Sequence, residues 1–211
     1  MGRLFLITLG FHEDHVIRRL INERVVADDK VVLITASPVA TATQRAYESL
    51  MSVCSRMRLP KPELIGIPPD PYEGLRNLLD VLSDWDEIVL DLSGGMRYLC
   101  IYAMIALLLM RKRGRIYLQP ESGDVGEVVI PEALIEVFFN PPKPAETELL
   151  RLLKNNEGAT VGDLAKLSGK AEKTVMNMVS ELSKKGVLVR RGRGGGVFLT
   201  KTGKLLLELL R

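Results

Sequence analysis

The chain has 211 residues, of which 46% are hydrophobic and 26% charged, and its formal net charge is +3. This composition is typical of a soluble globular protein of one or two domains. Its longest apolar run, residues 98–110, is too short to span a bilayer, so we expect a cytoplasmic protein without membrane contacts. Cys54 and Cys100 fall inside apolar helical patterns, which favours reduced core residues over a metal cluster.

The positive charge is concentrated in the C-terminal third. Residues 144–211 contain 13 Lys and Arg against 7 Asp and Glu, whereas the remainder is slightly acidic. A small basic unit joined to a slightly acidic one indicates that only the C-terminal part contacts a polyanion.

Strands and helices alternate along the N-terminal part of the chain. Nearly continuous apolar runs predict strands at residues 3–9, 31–36, 63–67, 87–92 and 115–119. Because strands of this kind alternate with helices, the pattern predicts an α/β fold, a Rossmann-like doubly wound and mainly parallel sheet.

Three smaller elements are predicted around this core. Ser37 and Pro38 are expected to begin the second helix as N-cap and first helical residue. Residues 127–131 are a candidate sixth strand, and residues 135–139, IEVFF, are a candidate for another.

The prolines of residues 140–146 predict a stiff linker, because they cannot continue a helix or a central strand. The linker separates a Rossmann-like domain, residues 1–139, from a second domain, residues 147–211. The second domain has three helices, then two strands joined by a glycine-rich turn, and a final helix. This order predicts a winged helix-turn-helix.

The third helix of this domain and the wing carry donors suited to double-stranded DNA. Apolar side chains at helical spacing predict one buried face, and the opposite face and the wing are rich in Lys, Arg and Asn. The predicted DNA contacts are Lys170, Lys173, Thr174, Asn177, Lys184, Arg190, Arg191 and Arg193. A winged helix used for protein contacts is the alternative, which the acidic Glu172 and Glu181 favour.

Two loops point to a ligand site in the first domain. In a sheet of order 3-2-1-4-5, the crevice lies between the first and fourth strands. The loop after the fourth strand combines glycines, a helix start, Ser and Arg, which favours an anion. The loop after the first adds an aromatic ring for base stacking. The predicted ligand contacts are Thr8, Leu9, Gly10, Phe11, His12, Ser93, Gly94, Gly95, Met96 and Arg97.

Each of these features also has a structural interpretation. Gly94 and Gly95 can form a tight turn, and Phe11 can belong to the core. His12 and His15 share helical spacing, but no Cys or carboxylate cluster completes a metal site. No dinucleotide fingerprint or P-loop is present. We therefore predict no metal site and no catalytic residue, and the pairing of the two loops favours a ligand.

The motifs TLGF at residues 8–11 and DLSGGMR at residues 91–97 resemble the two signatures of CARF domains, the CRISPR-associated Rossmann-fold sensors. With the winged helix, the whole chain resembles the archaeal CRISPR-associated transcriptional regulators of the Csa-three type. The resemblance implies a homodimer that binds cyclic tetra-adenylate across its two-fold axis and controls transcription of CRISPR loci, with no other cofactor. Met96 departs from the polar residue that is frequent at that position.

Two other functions stay open at this point. One is a ring nuclease, which cleaves the cyclic oligoadenylate by placing a ribose 2′-hydroxyl in line with its phosphate. The other is a regulator that binds a different nucleotide or no ligand.

Overall fold

The computed structural model describes residues 2–120, 126–192 and 195–209. They form two compact units that divide between Glu132 and Ala133. Within the described residues, no helix is both long and apolar enough to cross a membrane.

The first unit is a six-stranded sheet with helices packed on it. Its strands are β1 (Leu4–Thr8), β2 (Lys30–Ala36), β3 (Glu63–Ile67), β4 (Glu87–Asp91), β5 (Arg113–Leu118) and β6 (Val128–Ile130). Its helices are α1 (Asp14–Asn22), α2 (Thr41–Met57), α3 (Pro71–Ser83) and α4 (Arg97–Leu109). The strand order is β3-β2-β1-β4-β5-β6, with only β6 antiparallel to its neighbour, which confirms the predicted fold and order.

The central strands are buried on both faces. Every residue of β1 is fully buried, and Leu6 lies between Val32 on one side and Leu90 on the other. Strands covered by helices on both faces need no polar alternation, which is why these sequences are continuously apolar. The carboxyl ends of β1 and β4 lie side by side, so the loops that leave them meet at the switch point of the sheet.

Two local predictions are wrong. The Ser37–Pro38 peptide bond is cis, and α2 begins only at Thr41, with Ala40 as its N-cap. The segment IEVFF lies in a helix, α5 (Glu132–Phe139), and is not a strand. Val137 of α5 packs against the core of the second unit, whereas the sequence analysis placed this segment in the first domain.

The second unit has the order of a winged helix-turn-helix. After α5 come α6 (Pro144–Asn155), α7 (Val161–Ser168), α8 (Glu172–Lys184), β7 (Leu188–Arg191), β8 (Gly196–Leu199) and α9 (Lys201–Leu209). The last three residues of the predicted linker thus belong to α6. Gly169, with a φ of 65°, ends α7 and makes the tight turn into α8. β7 and β8 pair antiparallel and form the wing.

Candidate functional site

A cavity of about 630 Å³ opens at the carboxyl ends of β1 and β4. Nine of the ten predicted ligand contacts line it: Leu9, Gly10, Phe11, His12, Ser93, Gly94, Gly95, Met96 and Arg97. The two loops, which are more than 80 residues apart in the chain, therefore meet at one site. The volume lies in the ordinary range for a small-molecule pocket.

Thr8, the tenth predicted contact, holds the loops together instead of lining the cavity. Its side chain is fully buried, and its hydroxyl donates to the carbonyl of Asp91 at 3.2 Å. The same hydroxyl accepts from the backbone N–H of Gly94 at 3.3 Å. One side chain thus ties the end of β1 to the end of β4 and to the loop that follows.

The glycines of the two loops allow a close approach between their backbones. A β-carbon at Gly10 would lie 2.9 Å from the nitrogen of Gly95, and one at Gly94 would lie 2.6 Å from the ring of His15. Gly95 has a φ of 74°, which L side chains rarely adopt. The packing of the loops therefore explains these glycines without a ligand, as the structural interpretation held.

Asp91 at the end of β4 has a structural role. Its buried carboxylate accepts from Nε of Arg19 at 2.8 Å and from the backbone N–H of Ser93 at 2.9 Å. Arg19 is itself buried, contacts Glu127, and stacks its guanidinium 3.5 Å from the ring centre of Tyr117. Burial alone would lower the pKa of Arg19, but the hydrogen bonds to Glu127 and Asp91 raise it above the ordinary value. The loop after β4 is thereby fixed to α1 and β5.

The N-terminus of α4 faces the cavity, and no side chain of its own cap or first turn accepts a hydrogen bond from its leading N–H groups. Met96 is the N-cap and forms no side-chain cap, and no acidic residue lies in the first turn. The first N–H groups of a helix have no partner within the helix and attract anions. Arg97, the first helical residue, is exposed, and its side chain makes no hydrogen bond or ion pair with any residue that the structure describes. This end of the cavity therefore suits a negatively charged group.

One aromatic and two imidazole side chains, those of Phe11, His12 and His15, line the cavity. Phe11 is 62% exposed, which rules out a place in the core. His15 donates from Nε2 to the carbonyl of Thr8 at 2.9 Å, while His12 is exposed. No cluster of His, Cys, Asp or Glu able to hold a metal ion occurs among the described residues.

Cys100 also lines the cavity, but its thiol is a weak nucleophile. Burial raises the pKa of its thiol, so the reactive thiolate is disfavoured. Its Sγ lies 3.7 Å from the carbonyl of Leu92. The arrangement provides no activated cysteine nucleophile.

The second unit presents the predicted DNA-contacting face. In α8, Val175, Val179 and Leu182 are buried. The side chains of Lys173, Thr174, Asn177 and Lys184 are exposed, as are Arg190 and Arg191 on the wing. Arg193 lies outside the described residues. The exposed hydrogen-bond donors therefore lie on one face of α8 and at the end of β7.

Two of the predicted lysines are paired within the unit. Nζ of Lys170 lies 2.9 Å from Glu148, and Nζ of Lys184 lies 2.9 Å from Glu181. These pairs are solvent-exposed, so each contributes little to stability. For either lysine to bind DNA as predicted, a phosphate group would have to replace the glutamate carboxylate that the lysine contacts.

Comparison with known proteins places this geometry in a family. The Csa3 CRISPR-associated Rossmann-like domain matches residues 3–131, which is more than half of the chain. The chain belongs to the Csa3 family. A second family, described as winged helix-turn-helix DNA-binding, matches residues 145–189.

The Csa3 assignment agrees with a relative of similar length. The CRISPR locus-related protein Csa3 of Saccharolobus solfataricus is 29% identical over 207 residues, which cover 97% of this chain and 87% of that protein. Among solved structures, the MepR–DNA complex of S. aureus is 23% identical over 36% of this chain and 66% of its own, with a TM-score of 0.32. MarR of Listeria monocytogenes is 18% identical over 36% of this chain and 55% of its own, also at 0.32. The matches span less than two thirds of those two structures, and the family assignment does not depend on them.

Sequence reasoning missed one side of the cavity in this Csa3-family chain. The end of β2, the connection that follows it and the first turn of α2 contribute Thr35, Ala36, Pro38, Ala40 and Thr43 to the lining. No motif marks these residues. Their place in the predicted strand order could have revealed them, because β2 lies next to β1 and its carboxyl end opens at the same edge of the sheet.

Proposed function

We propose that this Csa3-family protein is a homodimeric, DNA-binding regulator of CRISPR loci whose Rossmann-like domain binds cyclic tetra-adenylate. The observation that supports it most is the character of the cavity. The uncapped N-terminus of α4 and the unpaired Arg97 face it, and no Asp or Glu is among its described lining residues. Such a cavity favours an anionic ligand of nucleotide size, with Phe11 available to stack on a base.

An exposed apolar face on α4 supports the dimer. Ile101, Met104, Ile105 and Leu109 recur at helical spacing and are 55%, 36%, 37% and 62% exposed. A contiguous apolar patch on a soluble protein marks an interaction surface, and two-fold dimers are the commonest oligomers. Because this face begins one turn after Arg97, an α4–α4 contact would bring two anion-binding loops to one ligand.

The winged helix supports the DNA-binding part of the proposal. The exposed face of α8 carries Lys173, Thr174 and Asn177. Asn can pair with adenine and Lys with guanine or phosphate in a major groove. A dimer would present two such helices, which suits a palindromic operator with half-sites about one helical turn apart.

Isothermal titration of cyclic tetra-adenylate into the full-length protein tests the sensor. Arg97→Ala should raise Kd about tenfold or more, since a hydrogen bond to a charged group is worth roughly 1.5–3 kcal/mol. Arg76→Ala, which removes an exposed Arg from α3, is the matched control and should bind as the wild type does. Equal affinity in the Arg97 and Arg76 variants would refute the assigned pocket.

Cleavage of the bound ring is a second candidate, favoured by the two histidines that line the cavity, His12 and His15. Imidazoles can transfer protons between a ribose hydroxyl and a leaving oxygen. Incubation of the dimer with cyclic tetra-adenylate, followed by chromatography for linear products, separates the candidates. Intact ligand after prolonged incubation supports a sensor that only binds.

A further inference from the structure

We propose a second anion subsite in the same cavity, at the N-terminus of α2, which binds another phosphate of the oligonucleotide. The inference rests on the proposed function and extends it: each protomer would hold two phosphates, one at α4 and one at α2. Two independent observations support the subsite: an uncapped helix start, and two hydroxyls on the cavity wall that have no partner among the described residues.

The first observation is the bare N-terminus of α2. Ala40, its N-cap, has no side-chain acceptor, and its first turn contains no acidic residue. By contrast, Asp70 caps α3 and Thr160 caps α7 through side-chain hydrogen bonds. The leading N–H groups of α2 therefore lack the side-chain acceptor that those helices have, and the positive end of the helix dipole is not neutralised.

The second observation is a pair of threonines buried in the cavity wall. Thr35 and Thr43 are each only 3% exposed and both line the cavity. Neither hydroxyl forms a hydrogen bond with any other residue in the described parts of the chain. The hydroxyl oxygens of both threonines are open to the cavity and have no acceptor among the described residues, so they are available to donate to a group bound beside the helix start.

The chemistry of these groups selects a phosphate. Backbone N–H groups at a helix start only donate, and the threonine hydroxyls can donate as well. A phosphodiester oxygen only accepts, whereas the edge of an adenine presents both donors and acceptors. The cavity lining contains no carboxylate among its described residues that would repel a second anion. Two helix starts in one acid-free cavity thus fit a ligand with two negative charges.

Ala40→Asp tests this subsite with opposite effects on stability and binding. An Asp at this N-cap would accept from the free N–H groups, so the melting temperature should rise. The same carboxylate would occupy the subsite and repel phosphate, so the Kd for cyclic tetra-adenylate should rise about tenfold or more. A loss of affinity caused by misfolding would instead lower the melting temperature.

Ala171→Asp is the matched control. Ala171 is the uncapped N-cap of α8 in the second unit, with backbone angles of −62° and 140° against −69° and 145° at Ala40. The same chemical change there should leave nucleotide affinity unaltered. Ala40→Asp with wild-type affinity would overturn the second subsite while leaving the proposed sensor intact.

Thr43→Val isolates the hydroxyl. Because the hydroxyl has no partner in the protein, its removal should leave the melting temperature unchanged or higher, while the Kd rises several-fold. Thr8→Val removes a hydroxyl with two partners and should lower the melting temperature. A destabilised Thr43→Val with unchanged Kd would show that the hydroxyl serves the fold alone.

A separate measurement covers the case in which the wild type binds no nucleotide and the proposed function fails. The ¹⁵N-labelled protein would be titrated with inorganic phosphate. The amides of residues 41–43 should shift saturably in the wild type and should not shift in Ala40→Asp. Absence of that response in the wild type would refute the subsite by itself.

Discussion

Removing the carboxylate of Asp91 should destabilise the first unit strongly, because the side chain belongs to a buried ion pair. Asp91 and Arg19 are 1% and 3% exposed, and their Oδ2 and Nε atoms are 2.8 Å apart. Asp91→Ala leaves the guanidinium buried, with Glu127 as its one acidic partner among the described residues, and it also removes the acceptor of the Ser93 N–H.

The expected loss in the free energy of unfolding is about 3 kcal/mol. Breaking a buried pair from one side costs roughly 3–5 kcal/mol, and the remaining contact with Glu127 places the loss at the lower end. For a domain of this size, about 3 kcal/mol corresponds to a fall of roughly 10 °C in melting temperature. Asp91→Asn, which keeps an acceptor for the Ser93 N–H, should lie between Asp91→Ala and the wild type.

Urea unfolding and calorimetry of the full-length variants would measure this loss. The matched control is Glu63→Ala, which removes the carboxylate of an exposed pair, because Lys30 and Glu63 are 42% and 52% exposed. That change should cost less than about 1 kcal/mol. An Asp91→Ala loss as small as the Glu63→Ala loss would refute the reasoning from burial.

The remaining predictions concern DNA binding and assembly. Arg191→Ala combined with Arg193→Ala should weaken DNA binding and flatten its salt dependence, measured by fluorescence anisotropy at several salt concentrations; an unchanged slope would place the wing away from phosphate. Glu148→Gln should strengthen DNA binding several-fold at low salt, because Lys170 then no longer has to break its ion pair with Glu148 before it contacts a phosphate; weaker or equal binding would contradict this. Ile105→Glu should convert the proposed dimer to a monomer in sedimentation experiments, since it places a charge on the apolar face of α4; a persistent dimer would locate the interface elsewhere.

The sheet and its switch point could be predicted because the relevant signals are repeated along the chain. Each central strand is continuously apolar and each is followed by a helical pattern, so one ambiguous segment does not change the topology. The glycines after β1 and β4 then fall at adjacent strand ends without further information. Nine predicted lining residues follow from that placement alone.

Local choices between two allowed structures could not be predicted. Ser-Pro suits either a helix start or a turn with a cis bond, and the structure has the second at Ser37–Pro38. IEVFF is a short apolar run, which periodicity cannot assign to a strand or a helix. The sequence also could not show that the Thr8 hydroxyl points away from the cavity lining, because its partners, Asp91 and Gly94, are distant in sequence.

The contact between the two glycine loops also limits how this domain can diversify. A β-carbon at Gly10 would meet the backbone at Gly95, so neither loop can accept a larger residue at that contact unless the other moves. Phe11, His12 and Met96 are exposed at the mouth of the cavity and face no such restriction. For the proposed ligand, changes in preference during evolution are therefore expected at these rim positions, and a library restricted to them should alter selectivity while preserving the fold beneath.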